Sequence, residues 1–176
     1  MSSTSKKTTN PAFNNEAKNN FISETVYSVF KNGTPLYKVK GMSKQHLENL
    51  YTVAYNLYSA EKYEEAGKLF QAITFYNYTD KKSWLGAAAS AEMLKKYDKA
   101  IIGYVFASRL DRFDPLPILH AFDCHLALKN YPAAVACLNM VMLRASKKPE
   151  YFEIKKQAEH LKKILDQAIQ EATRHS

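Results

Sequence analysis

His120, Cys124 and His125 fall within one short stretch, and imidazoles beside a thiol are the raw material of metal sites and of Cys–His nucleophilic dyads. On a helix, His120 and Cys124 stand four apart on one face, while His125 is turned about 100 degrees from Cys124. No acid at a fixed spacing orients an imidazole and no third ligand is set by the sequence, so the group reads as packing and surface tips. A P-loop, a dinucleotide glycine fingerprint and HExxH are all absent. The expectation is therefore not an enzyme: no catalytic residue, no metal, no other cofactor and no small-molecule substrate. Cys124 and Cys137, 13 residues apart in apolar surroundings, suit neither a zinc ribbon nor a disulfide framework. They read as small core residues in a reducing compartment.

A different chemistry is offered by Tyr51, Tyr55 and Tyr58, which share one helical stripe. Three phenol rings in a row form a wall with apolar faces and polar tips. Such a wall grips an extended peptide at small cost in side-chain entropy. The competing reading is that the rings pack against an N-terminal helix or a second subunit.

The element that must carry this wall is defined by a repeat. The stretch EKYEEAGKLF begins at Glu61, KKYDKAIIGY follows 34 residues later and KNYPAAVACL 34 after that. The same interval relates Tyr63, Tyr97 and Tyr131, then Ala66, Ala100 and Ala134, then Phe70, Tyr104 and Leu138. Upstream in the frame stand Leu50, Trp84 and Ile118, then Val53, Ala87 and Ala121, then Ala54, Ala88 and Phe122. Bulky residues followed three and four places on by small ones keep one helical face narrow, so that another helix can approach. Each unit thus carries two short amphipathic helices. Asp80 and the pair Asp114-Pro115 supply start signals for the second and third units.

This pattern resembles the tetratricopeptide repeat, over 47–80, 81–114 and 115–148. The expected fold is all-α: three tandem repeats in a short right-handed solenoid, with an N-terminal helix and linker over 21–46 and a capping helix over 149–172. Two departures from the repeat pattern stand out. Its usual glycine is replaced by Ala54, Ala88 and Phe122, and its usual proline by Tyr78, Arg112 and Ser146. Phe122 should push the third pair apart or find a pocket. In the capping segment Ile154, Ala158, Leu161, Leu165 and Ala168 mark one apolar face. Residues 1–20 are too polar to fold alone and are expected to form a disordered basic arm.

In a solenoid the first helix of each pair lines the inner surface. The inward positions are Tyr51, Tyr55 and Tyr58 in the first repeat; Lys82, Leu85, Ala89, Glu92 and Met93 in the second; and Leu116, Leu119, Asp123 and Leu126 in the third. Of the net charge of +8, the segment 1–46 holds seven lysines against two acids, whereas 149–176 is balanced at five against five. Most of the excess therefore lies in 1–46 rather than in a stripe on the repeats, which ranks nucleic-acid binding behind peptide binding. No apolar run approaches the ~20 residues of a membrane span, so stable membrane insertion is not expected.

The stretch LENLYTVAYNLYSAEKYEEAGKLFQAI, the preceding FKNGTPLYKVKGMSKQH and the later HAFDCHLAL together resemble class II chaperones of type III secretion. These are the LcrH/SycD-like family, and the resemblance covers roughly 21–165. It implies a non-catalytic bacterial cytoplasmic chaperone that binds hydrophobic translocator proteins. An extended N-terminal segment of the client, containing proline and leucine, would lie in the concave groove, keeping the client soluble and unassociated before secretion. It further implies that Tyr51, Tyr55, Tyr58 and Leu85 belong to the groove, and that a homodimer forms through Ile22, Val26, Val29 and Phe30. A general tetratricopeptide adaptor and, behind it, a nucleic-acid-binding protein using the basic arm are the alternatives.

Overall fold

The computed structural model describes residues 31–174 together with Glu24, Tyr27 and Ser28. The chain falls into two compact units, 1–44 and 45–176. In the first, Thr34 N–H donates to the Ser28 carbonyl, and Pro35 leads into a single helical turn, α1 (Leu36–Val39). Gly41 takes φ +65°, which lets Met42 N–H reach the Tyr37 carbonyl at 2.8 Å. The expected arm over 1–20 and the dimer residues Ile22, Val26, Val29 and Phe30 lie outside the described residues.

The second unit is a run of helix pairs: α2 (Lys44–Ser59) with α3 (Tyr63–Tyr76), α4 (Lys81–Met93) with α5 (Tyr97–Leu110), and α6 (Leu116–Ala127) with α7 (Tyr131–Ala145). A single 3-10 turn, Pro149–Tyr151, leads into α8 (Phe152–Arg174). From α4 onward each long helix packs on its neighbours in sequence, the arrangement of a tetratricopeptide stack closed by a last helix. The second helix of every pair opens on the repeated tyrosine, and no strand occurs among the described residues.

The small residues of the repeat do the packing expected of them. Ala54, Ala66, Ala88, Ala100, Ala121 and Ala134 are all buried. At Gly103 a Cβ would stand 2.8 Å from that of Ala88 and 3.2 Å from the Trp84 carbonyl, so α4 and α5 approach at a distance only glycine permits. Val53, the first-repeat counterpart of Ala87 and Ala121, is instead half-exposed. Phe122 finds a pocket: it is buried with Leu138 and Val141 of α7 and with Ala158 and Leu165 of α8. Along α8 the apolar face is Ile154, Ala158, Leu161, Leu165 and Ile169, while Ala168 is exposed. The expected last step of three is a step of four, since a straight helix must alternate the two unevenly to stay over one partner.

Inside each pair the chain turns at a residue with positive φ: Glu61 at 60°, Lys95 at 58° and Lys129 at 57°. The following N–H of Lys62, Lys96 and Asn130 reaches five residues back, to the carbonyls of Leu57, Ala91 and His125. This left-handed helix ending usually takes glycine, but here it takes Glu, Lys and Lys. Between the second and third pairs, Lys81 donates to Asp111 and Asp114 at 2.7 Å each. Arg144 Nη1 binds the carbonyls of Ser108, Asp111 and Asp114 at that corner. Lys81 is thus a staple rather than the solvated loop cation its position at a corner suggests. Asp80 accepts from Lys82 N–H and the Ser83 hydroxyl, and Asp114 accepts from Leu116 N–H. Both carboxylates therefore hold a helix start. Among the described residues no helix is long and apolar enough to cross a membrane.

Candidate peptide-binding site

Helices α2 and α4 place Tyr51, Tyr55, Tyr58, Lys82, Leu85 and Ala89 around an open trough of about 260 Å³, with Phe70 of α3 and Gly86 completing its lining. The four-three spacing of the tyrosines on α2 and the four-residue step from Leu85 to Ala89 present these groups as one face per helix. Tyr51 lies nearly parallel to Tyr55 at 6.5 Å between centroids and meets Phe70 edge-on at 5.5 Å. Tyr58 contacts Tyr63 edge-on at 5.2 Å. Lys82 Nζ lies 5.7 Å from the centre of the Tyr51 ring. Tyr51 and Tyr58 are partly buried, whereas Tyr55 is 55% exposed.

Desolvation raises the Tyr51 phenol above its ordinary value, with Asp80, Tyr55 and Glu48 adding to the rise. It raises Tyr58 likewise, with Tyr63 and Glu92 contributing. Both hydroxyls therefore stay protonated at neutral pH and can donate to the carbonyls of an extended chain.

Sequence reasoning missed Phe70 and Gly86. Phe70 shares its repeat column with Tyr104 and Leu138, which signals core, yet its ring also forms the trough floor. Gly86 makes room for that ring: a Cβ there would stand 2.6 Å from it. Met93, Leu116 and Leu126 are exposed away from this trough, and Leu119 packs on the Phe122 cluster. Glu92 and Asp123 lie elsewhere too, but they are brought together with His120. One ligating atom of each falls within 4.8 Å of the others.

Tyr104 supports that second group, donating its hydroxyl proton to Glu92 and stacking on His120 at 5.1 Å. Desolvation raises the Asp123 carboxyl, His120 opposes the rise and Glu92 adds to it.

The thiol chemistry is closed. Cys124 is fully buried, and burial, aided by Glu92, Asp123 and Cys137, pushes its pKa up to about 12. It remains a neutral thiol and not a nucleophile. His125 carries a buried Nδ1 with no hydrogen-bond partner among the described residues.

Stacked helix pairs with an apolar, phenol-tipped trough on their first helices define a tetratricopeptide protein with a surface fit for an extended chain. Known proteins narrow the class. Low calcium response locus protein H of Yersinia pseudotuberculosis is 32% identical over 127 residues, 72% of this chain and 76% of its own. The chain of a type III secretion complex from Aeromonas hydrophila superposes with a TM-score of 0.76 at 27% identity, covering 84% of this chain and 98% of that one.

SycD, the type III secretion chaperone of Yersinia enterocolitica, has been solved with a peptide of the translocator YopD. It superposes with a TM-score of 0.66 at 29% identity, covering 72% of this chain and 96% of that one. SycD has also been solved as an alternative dimer. No family model matches the sequence. The chain belongs to the LcrH/SycD family of type III secretion chaperones. Its relatives are chaperones, and it is not an enzyme.

Proposed function

We propose that this chaperone acts in the bacterial cytoplasm and holds a hydrophobic translocator through an extended segment near the client's N-terminus, laid along the tyrosine trough. The observation that carries the reading is the trough itself: rings of Tyr51, Tyr55 and Phe70 form its apolar surface, and protonated phenols stand at its edge. SycD, solved with a peptide of the translocator YopD, supports a translocator client for this fold. A protein that must later enter a membrane exposes apolar segments that associate in water. Occupying one of them in a preformed groove blocks that association at small ordering cost. Two or three filled pockets correspond to an affinity around micromolar, roughly 8 kcal/mol, which permits release without covalent chemistry.

The groove of the proposal extends to Glu92, Met93, Leu116, Leu119, Asp123 and Leu126 along the inward faces of the later repeats. The SycD dimer supports a homodimer for this chain, with Ile22, Val26, Val29 and Phe30 as its proposed contact. Affinity capture from the native bacterium at low and high salt tests the function. A protein with long apolar segments, retained at high salt and lost by a folded Tyr51→Ala/Tyr55→Ala/Tyr58→Ala variant, is the expected result. Retention by the variant, or nucleic acid released at high salt as the only partner, overturns it.

A further inference from the structure

The tyrosine trough is lined by rings, aliphatic groups and glycine, with a single charged exception among the described residues: Lys82 of α4. Its ammonium lies 5.7 Å from the centre of the Tyr51 ring, close enough to be attracted by the electron-rich face of that ring. The charge is therefore drawn toward the wall that a client segment would cover.

The carboxylates around the start of α4 are committed elsewhere. Lys81, the preceding residue, holds Asp111 and Asp114 at 2.7 Å each. Asp80 accepts from Lys82 N–H and from the Ser83 hydroxyl, which keeps it on the helix start. The charges of Asp80 and Glu48 are felt at the Tyr51 phenol, yet neither closes an ion pair with Lys82. The first turn of α4 itself carries no acid, and the positive end of a helix favours one.

An exposed ammonium in open water needs no counter-ion. A peptide laid on the rings changes this, because it strips water from one side of Lys82 and lowers the local dielectric. An uncompensated cation then becomes costly, and a neighbouring anion is held more strongly. Apolar client residues satisfy the rings and leave the ammonium without a partner, whereas a carboxylate beside them accepts a charge-assisted hydrogen bond. A client cation at the same place is repelled, so the position discriminates by sign.

We propose that Lys82 sets the register of the client, its ammonium donating to an Asp or Glu carboxylate next to the apolar residues that fill the tyrosine trough. This rests on the peptide-groove reading and adds the charge complementarity that fixes where along the groove a client sits.

The test is selection from a synthetic decapeptide library with one proline and one leucine fixed and the other positions randomised. It uses the full chain, Lys82→Met and Lys82→Glu, each checked for helix content by circular dichroism. The unsubstituted chain is expected to enrich Asp or Glu roughly threefold to tenfold at one position counted from the leucine, and to lose that enrichment as salt is added. Lys82→Met, which keeps an apolar stem without the charge, should show no such enrichment. Lys82→Glu, an acid suited to the first turn of a helix, should enrich Lys or Arg at the same position instead. Apolar selection without acidic enrichment by the unsubstituted chain, or acidic enrichment kept by either variant, overturns the subsite and leaves the groove reading intact. Absence of any selection by the folded chain overturns the groove reading itself, and the subsite with it.

Discussion

The Tyr51 ring meets Phe70 edge-on, with centroids 5.5 Å apart and planes inclined at 64°. One partner lines the trough and the other is 1% exposed, so this contact joins the binding surface to the core of the first repeat. Removing the rings from the surface side should therefore cost affinity before it costs fold. The Tyr51→Ala/Tyr55→Ala/Tyr58→Ala variant is expected to bind its translocator segment roughly 100-fold more weakly or worse, as truncated aromatic anchors do. Titration calorimetry with that segment, alongside a circular dichroism spectrum unchanged in helix content, checks it. Binding within about threefold of the parent would exclude the wall as the main anchor.

Gly86 allows the opposite manipulation, from the core side. A methyl there stands 2.6 Å from the Phe70 ring, which must move into the trough or strain its own packing. Gly86→Ala is expected to lower stability by about 1–3 kcal/mol, the usual range for overpacking. It should weaken client binding by more than the equivalent factor, since the displaced ring occupies the peptide's space. Urea unfolding and calorimetry on the same sample separate the two effects. Equal binding with lowered stability would show that the ring relaxes elsewhere.

The corner between the second and third repeats carries a pH dependence whose sign follows from its ions. The hydrogen bond from Lys81 holds the Asp111 carboxyl below its ordinary 3.8. The stability this contributes is present above 3.8 and is lost as pH falls through the depressed native value. Lys81 is shifted above its ordinary 10.5: burial opposes the shift, and the bonds to Asp111 and Asp114 outweigh it. That contribution is complete below 10.5 and disappears as pH rises through the raised value. Asp111 is half-exposed and screened by solvent, so Lys81→Met should cost only about 1 kcal/mol at neutral pH. The difference between parent and variant should stay level through the neutral range and narrow below pH 3.8 and above 10.5, as followed by urea midpoints.

The left-handed residues divide what the sequence made legible from what it hid. The interval of 34 residues located all three helix pairs, because Tyr63, Tyr97 and Tyr131 open the second helices and the alanines at fixed offsets are buried. Tyr51, Tyr55 and Tyr58 were readable as one face of α2, and Lys82, Leu85 and Ala89 as one face of α4, since helical spacing aligns each set. Phe70 was not, because a core position and a trough floor look alike when only type and period are visible. The approach of Glu92 to His120 and Asp123 depends on how α4 and α6 are juxtaposed, which no periodicity within either helix reports. The turns at Glu61, Lys95 and Lys129 were hidden for a chemical reason: glycine normally marks such an ending, and here charged residues hold the positive φ.

Those turns supply a stabilising substitution. A non-glycine residue at this backbone geometry costs roughly 1–2 kcal/mol, while glycine returns about 0.5–1 kcal/mol of that through its freer unfolded state. Lys95→Gly, at φ 58°, is expected to raise stability by a few tenths to about 1 kcal/mol, with client binding unchanged. A lower urea midpoint would mean that the Lys95 side chain makes contacts outweighing its backbone strain.

The last helix sets a final expectation, argued from the difference between two adjacent residues. Ile169 packs on the cluster of Phe122, Leu138 and Val141, whereas Ala168 is exposed. Leu165, two-thirds of the way along α8, is 8% exposed in the same cluster. Leu165→Ala should cost about 2–4 kcal/mol, the range for a buried leucine truncated to alanine. Ile169→Ala, at a partly buried site, should cost about 1–2 kcal/mol because less surface is removed from water. Ala168→Ser should be neutral to within about 0.5 kcal/mol, as exposed substitutions are. Deleting α8 bares Phe122, so the shortened chain should associate on a sizing column while the point variants stay at the parent's elution volume. If Ala168→Ser destabilised the protein more than Ile169→Ala, the face of α8 turned to the repeats would be the one read from spacing rather than the one in the structure.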